Sequence, residues 1–299
     1  MIVSVREFFD KATNTLTYVV YDEEARDAVI IDPLLDYDSA ASHLSCDSAM
    51  QVLRFVETTG LRVHAILETH AHADHISGSQ WLKARLGARI GIGRRICEVQ
   101  AAFHNRFESP DAGRSIATDG SQFDFLVSEG DTIKAGSLDI RVIETPGHTP
   151  ACVTYCIGDA IFVGDAMFIE DYGTGRCDFP GGDAATLYKS LHSKLFHLPP
   201  ETRVFVGHDY QPGGRPLRFC TTISAEKDGN VQLNEATSLD SFVAFRRARD
   251  ATLNQPRLLW PSIRINIDAG HIPPADADGQ RRLTVPLTIG DELRVAADA

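Results

Sequence analysis

Four apolar segments each end in a side chain able to bind a metal: AILETH closes on His70, VIETPGH on His148, AIFVGD on Asp165 and VFVGH on His208. Short runs rich in Val and Ile, bounded by Gly and Pro, read as buried strands. A rigid strand can hold the residues at its end in fixed positions, so four such ends brought to one edge would build one polar pocket. The first segment runs into ETHAHADH, residues 68–75, where His70, His72, Asp74 and His75 fall within six residues. Imidazoles and a carboxylate at i, i+2, i+4 and i+5 can surround one or two ions. A metal centre is therefore expected in place of a solvated loop.

The surrounding pattern mixes both periodicities. IVSVREFF, TLTYVVYD and DAVIIDP read as strands, and DSAMQVLRFVETTG as a helix stopped by Gly60. RVHAILETH is the next strand, and DHISGSQWLKARLG reads as a helix capped by Asp74 at its start and ended by Gly87. Further strands are expected at SLDIRVIET, CVTYCIG, AIFVGD and RVFVGH, with helices at DAATLYKSLHSKLFHL and LDSFVAFRRARDATLN. With 299 residues, 43% of them apolar, the chain can bury one large core or two small ones. No run reaches the roughly 18 apolar residues of a membrane span, and the N-terminus lacks a secretory layout. The formal net charge of −12 argues against nucleic acid or an anionic membrane as partner. Cysteines 46, 97, 152, 156, 177 and 220 form no CxxC pair and fit free thiols in a reducing cytoplasm.

HAHADH, TPGHT, GD and GHDY in this order resemble the metallo-β-lactamase superfamily over residues 15–210. The resemblance implies an α+β fold, the αββα four-layer sandwich, with metals at one edge of two facing sheets. In two-metal members, His70, His72 and His148 would hold one ion and Asp74, His75 and His208 the other, bridged by Asp165. The motif is specific for the fold and weak for the reaction. The stretch from DYGTGRCDFPGG to GHDY, with IIDPLLDYD and RDATLNQPRLLWPSIRINIDAG, is similar to the persulfide dioxygenase (sulfur dioxygenase) family, in particular its bacterial beta-lactamase-like-hydrolase group. That likeness implies a catalytic domain over residues 1–236 and an extension over 237–299 packed on it. It also implies one Fe(II) per chain on His70, His148 and Asp165, with His72, Asp74, His75 and His208 as orienting neighbours or as the site of a second metal. His72, Asp74, His208 and Tyr210 are the expected catalytic groups around that iron. The implied oxidoreductase reaction turns glutathione persulfide, O2 and water into glutathione and sulfite, a step in cytoplasmic sulfide detoxification. Two histidines and one carboxylate leave positions for sulfur and O2, and a metal fixed in oxidation state could not do this chemistry. A homodimer and a rhodanese-type sulfur donor are the protein partners this reading leaves open.

Arg176 of GRCDF is a candidate clamp for a substrate carboxylate, with a brace to Asp178 as its structural alternative. Tyr210 could offer its hydroxyl to glutathione, or simply fill space. Cys152 and Cys156 read as core residues, and Cys177 beside Arg176 as the better candidate for a reactive thiol. Val163 stands where many family members have a threonine, so a hydroxyl there is missing or comes from elsewhere. Two other readings compete. A glyoxalase II-like thioester hydrolase would use the same seven residues with two zinc ions. Against it stand GRCDF, GHDY and a C-terminal part that reads as short and strand-rich, unlike that family's helical glutathione-binding domain. A non-enzymatic persulfide or metal sensor would need a basic DNA-binding region, and none is visible.

Overall fold

The computed structural model describes residues 2–107 and 116–287. Its strands are β1 (Ser4–Asp10), β2 (Thr15–Tyr21), β3 (Asp27–Ile31), β4 (Leu34–Asp38), β5 (His43–Ser45), β6 (Arg62–Glu68), β7 (Ile76–Ser77), β8 (Arg89–Gly93), β9 (Phe125–Val127), β10 (Thr132–Ala135), β11 (Leu138–Glu144), β12 (Val153–Ile157), β13 (Ala160–Phe162), β14 (Arg203–Phe205) and β15 (Cys220–Thr222). The α-helices are α1 (Asp47–Thr59), α2 (Ser79–Leu86), α3 (Ile96–Phe107), α4 (Ala184–Ser193), α5 (Ile223–Gly229), α6 (Leu239–Asp250) and α7 (Leu259–Asn266). Two six-stranded sheets, ordered β1-β2-β3-β6-β8-β9 and β10-β11-β12-β13-β14-β15, pack face to face, and a small sheet β5-β4-β7 lies beside them.

Period-two alternation decides the layers. In the first sheet, Leu16, Tyr18, Val20, Val29, Ile31, Ala65 and Leu67 share one core with the second sheet. Their alternating neighbours Val19, Ala28, Ile30 and Ile66 share another with α1, α2, α3 and α7. Leu187 and Leu191 of α4 and Phe242 of α6 belong to the core of the second sheet. The result is the αββα sandwich expected from the sequence. Tyr18 ties the sheets together: its ring meets Phe162 and Phe205 edge-on, both at 5.4 Å, and its hydroxyl donates to the Val206 carbonyl at 2.7 Å. Each such ring stabilises the interface by roughly 1.5–3 kcal/mol through burial.

Three local expectations change. The helix after the histidine cluster begins at Ser79, and Asp74 does not cap it. Residues 76–77 pair with β4 instead, and Gly78 is packed so close that a Cβ there would come within 2.9 Å of the Leu34 carbonyl oxygen. Asp74 is thereby released to face the histidines. The helix expected through residue 198 ends at Ser193, with a 3-10 turn over Leu195–His197, although Asp183 caps its start by accepting from Thr186 N at 2.7 Å. The C-terminal part is not strand-rich: among the described residues after 237 the regular elements are α6 and α7. Residues 262–266 are buried throughout, and a short run buried on all sides does not reveal by periodicity whether it is helix or strand. Residues 288–299 of the expected extension lie outside the described residues. No described helix is long and apolar enough to cross a membrane.

Candidate metal centre

The ends of β6, β11, β13 and β14 deliver His70, His148, Asp165 and His208 to one edge of the sandwich. The two sheets are joined there: Leu16 N donates to the Gly207 carbonyl at 2.9 Å, and Thr15 forms an isolated bridge with His208. Gly164, with φ of 53°, adopts the left-handed turn that sends Asp165 back toward the cluster, and a Cβ on it would overlap Thr69. All seven residues expected from the sequence meet at this edge.

They form overlapping groups. His70, His148 and Asp165 lie with their donor atoms within 4.8 Å of one another, as do Asp74, Asp165 and His208, and His72, Asp74 and His75. Asp165 Oδ2 is 3.9 Å from His70 Nε2 and 3.7 Å from His148 Nε2, while its Oδ1 is 3.3 Å from His208 Nε2. Two donors each about 2.1 Å from one ion can be at most about 4.2 Å apart, and both distances from Asp165 Oδ2 meet that limit. The remaining ring nitrogens are already used. His148 Nδ1–H donates to the Arg176 carbonyl at 2.7 Å, and His70 Nδ1 sits 3.1 Å from the Thr69 hydroxyl, which supplies the group that Val163 cannot. His70 Nε2 is buried with no hydrogen-bond partner, as are His75 Nε2 and Asp165 Oδ1. Buried ligand atoms left without partners inside such groups are what a metal seat requires.

The charges are coupled. Burial, with His72 and His148 alongside, pushes the His70 pKa well below that of an ordinary histidine, which keeps it in the neutral, ligating form. Burial opposes ionisation of Asp74, yet His208 and His75 hold its pKa well below the carboxylate range. For His208 burial is outweighed by Asp165 and Asp74, which raise its pKa.

A fourth group was not foreseen. His72 Nε2 faces Asp32 Oδ1 at 3.1 Å and Glu68 Oε2 at 3.4 Å, and its Nδ1 is buried without a partner. Burial lowers the His72 pKa, but Asp32 and Glu68 outweigh it and raise it well above normal. Asp32 has a φ of 49°, rare for a residue with a Cβ, and its carboxylate accepts from Thr69 N and Thr69 Oγ1, both at 2.7 Å. Asn266 also escaped the sequence reading. Its side-chain amide donates to the His72 carbonyl at 2.8 Å and the His75 carbonyl at 2.7 Å, and its oxygen accepts from Ser77 N at 2.8 Å. Thr15 Oγ1 completes the brace at 3.2 Å from Asp74 and 3.3 Å from His75 Nδ1.

A cavity of 320 Å³ opens above the cluster, lined by Asp74, His148 and Asp165 on the metal side and by Phe168, Tyr172, Phe179 and Tyr210 as an aromatic wall. Tyr210 is 39% exposed, so it is a wall residue and not a core filler; its ring stacks on Tyr172 at 4.6 Å. Arg176 lines the same cavity, but its guanidinium grips Asp178 through two bonds of 2.6 Å and the Asn254 carbonyl at 2.8 Å. Cys177 is buried and burial raises its pKa far above a free thiol, which removes the setting a reactive cysteine needs. Cys152 is likewise buried, its pKa pushed up to about 12.

This fold with this edge defines a class, and the family model of the metallo-β-lactamase superfamily matches residues 11–208. The chain belongs to that superfamily. It is 45% identical over 295 residues to a probable metallo-hydrolase of Burkholderia pseudomallei, covering 95% of this chain and 99% of that one. A Dictyostelium discoideum protein named glyoxylase B2 is 41% identical over 90% of this chain and 91% of its own length. The mitochondrial persulfide dioxygenase ETHE1 of Homo sapiens is 33% identical over 80% of this chain and 85% of its own. The crystal structure of ETHE1 from Myxococcus xanthus superposes with a TM-score of 0.70 at 33% identity, covering 91% of this chain and all of that one.

Proposed function

We propose that the chain is a persulfide dioxygenase that uses one Fe(II) to convert glutathione persulfide, O2 and water into glutathione, sulfite and two protons. The observation that carries this reading is the group of His70, His148 and Asp165, two of whose members face the cavity while the third offers an orphaned Nε2 from behind. Similarity to proteins named persulfide dioxygenase and to the Myxococcus ETHE1 structure supports it. Ferrous iron held by two histidines and one carboxylate supplies reversible redox chemistry and open positions for sulfur and O2.

The protein's own part is placement. The Arg176 carbonyl fixes the His148 ring so that Nε2 faces Asp165, and Thr69 does the same for His70. Phe168, Tyr172, Phe179 and Tyr210 give the cavity an apolar wall beside the metal seat, against which a sulfur-bearing chain can pack. The Tyr210 hydroxyl has no partner among the described residues, so it is free to donate to a bound substrate. Four electrons pass from the persulfide pair to O2, the sulfur–sulfur bond breaks, and water provides the third oxygen of sulfite.

One observation favours a second reading. Asp165 Oδ1 and Asp74 Oδ2 lie 3.3 Å and 3.4 Å from His208 Nε2, a second seat that a dinuclear thioester hydrolase would fill. Metal analysis of anaerobically purified protein, followed by oxygen uptake with glutathione persulfide, decides between them. About one iron per chain with sulfite formed is the expected result; two tightly held zinc ions with thioesterase activity would reject it.

A further inference from the structure

The cavity mouth carries a charge pattern that the metal centre does not explain. In a chain of net charge −12, four arginines, Arg176, Arg246, Arg249 and Arg257, line one cavity whose only carboxylates among the described residues, Asp74 and Asp165, belong to the metal cluster. Two of the four are engaged. Arg176 is held by Asp178. Arg246 is buried, paired with Asp250 at 2.7 Å and bonded to the Gln232 side chain at 2.8 Å. Arg249 and Arg257 differ: both are exposed, and neither side chain makes a hydrogen bond or ion pair among the described residues. Asp38 shares an adjoining cleft with Arg257; the Ala41 and Ala40 N–H groups lead in lowering the Asp38 pKa and the Arg257 charge helps, although the two side chains form no direct ion pair.

The bland explanation covers half of this. A cation in the last turn of a helix complements the helix dipole, which accounts for Arg247 and Arg249 at the end of α6. Arg257 lies beyond the helix, in the loop before α7, and still converges on the same space. Unpaired like charges converging on one concave surface repel one another until an anion sits between them. The cavity's two carboxylates belong to the metal cluster, where a bound cation would neutralise them. A ligand is therefore oriented by carboxylates on the arginines and sulfur at the metal. At 320 Å³ the space is at the lower limit for small-molecule sites, which suits a peptide-sized thiol and not a nucleotide-bearing one.

We infer that Arg249 and Arg257 form the carboxylate-binding end of the substrate site, selecting a small thiol carrier with two carboxylates. This rests on the persulfide dioxygenase reading only for the fate of the sulfur, because a thioester of the same carrier would be held in the same way.

The test separates the two. Calorimetric titration of the purified holoprotein with S-methylglutathione, which keeps both carboxylates and cannot react, is compared with titration of its diethyl ester. Arg249→Gln and Arg257→Gln should each raise Kd roughly 2- to 10-fold, the range for partly exposed charged contacts, and the double substitution should raise it further. The diester should bind weakly to all forms alike. Arg247→Gln, exposed on the same helix and outside the cavity, should leave Kd unchanged. No binding to the wild type, a double variant that binds like the wild type, a diester that loses as much affinity as the acid, or an Arg247→Gln loss of equal size would each overturn the assignment. Arginine-dependent binding without oxygen uptake on glutathione persulfide would keep this site and reject the dioxygenase. Oxygen uptake with a KM indifferent to both arginines would do the reverse.

Discussion

Asn266→Ala removes three buried hydrogen bonds at once from the loop that bears the histidines. The amide donates to the His72 and His75 carbonyls and accepts from Ser77 N, at 2.7–2.8 Å, and Asn266 is only 4% exposed, so water cannot replace it without opening the site. A buried polar group left unpaired costs about 1–3 kcal/mol, so three orphaned groups set a loss of about 3–5 kcal/mol after partial relaxation. That is a large share of the roughly 5–15 kcal/mol that stabilises a typical domain. Because those carbonyls fix the loop that also carries the ligand His70, metal affinity should fall as well, by about 10- to 100-fold, as for other groups that orient ligands from behind. Asn266→Asp is the control for shape: it keeps the acceptor for Ser77 N but turns a charged oxygen toward two carbonyl oxygens, and should be at least as damaging. Urea unfolding of the apo forms gives the first number and competition with a chelator the second. A loss below about 1 kcal/mol in both variants, or unchanged metal affinity in a destabilised Asn266→Ala protein, would refute the clamp.

Three further outcomes are expected. His70→Ala should lose its iron, while His72→Ala should keep most of it and lose turnover; equal metal loss in both folded variants would favour the two-metal hydrolase. The Asp27 carboxylate accepts from His64 Nε2 at 2.6 Å and Ser137 N at 2.8 Å and lies 2.9 Å from Arg62; the His64 bond leads in lowering its pKa from 3.8 to about 2, so the stability it adds is complete above 3.8 and lost as pH falls through about 2. Asp27→Asn should therefore cost about 1–2 kcal/mol at pH 6, discounted for screening, and progressively less as pH falls through about 2; a cost that does not change with pH removes the linkage. Truncation after residue 236 deletes the buried Phe242, Leu258, Leu259, Ile263, Ile265 and Ile267, at roughly 1.5–3 kcal/mol each, and should leave a chain without a cooperative unfolding transition; a folded, metal-loaded fragment would show that the C-terminal part is dispensable.

What could be read from the sequence is what local chemistry dictates. His70, His148, Asp165 and His208 were legible because each follows an apolar run, so strand, end and ligand are adjacent in the chain. The helix ends at Gly60 and Gly87 were legible for the same reason: both have positive φ, 65° and 69°, where glycine is the residue without a Cβ penalty. Asp74 misled because its type suits a helix cap, and the residue that actually shifts the helix start is Gly78, through an approach to Leu34 that no spacing rule encodes.

The groups that orient the metal ligands were not legible, and the reason is distance along the chain. Asn266 is 194 residues from the His72 carbonyl it grips, Thr15 is 60 from His75, and Asp32 is 37 from Thr69. Each acts on backbone or on a ring nitrogen, contacts that impose no repeating pattern on the sequence. Glu68 is the instructive case, since it lies inside the motif and the sequence reading gave it no role. Its carboxylate is 4% exposed, accepts from Ser77 and Ser79, and turns its other oxygen to His72. Period-two alternation places Leu67 toward the second sheet and Ile66 toward the helices, which assigns Glu68 to the helix-side core, where an ionisable group is retained only if it is paired. An acid at a core position inside a histidine motif is therefore itself a sequence signal: it requires buried partners, which here are Ser77, Ser79 and His72.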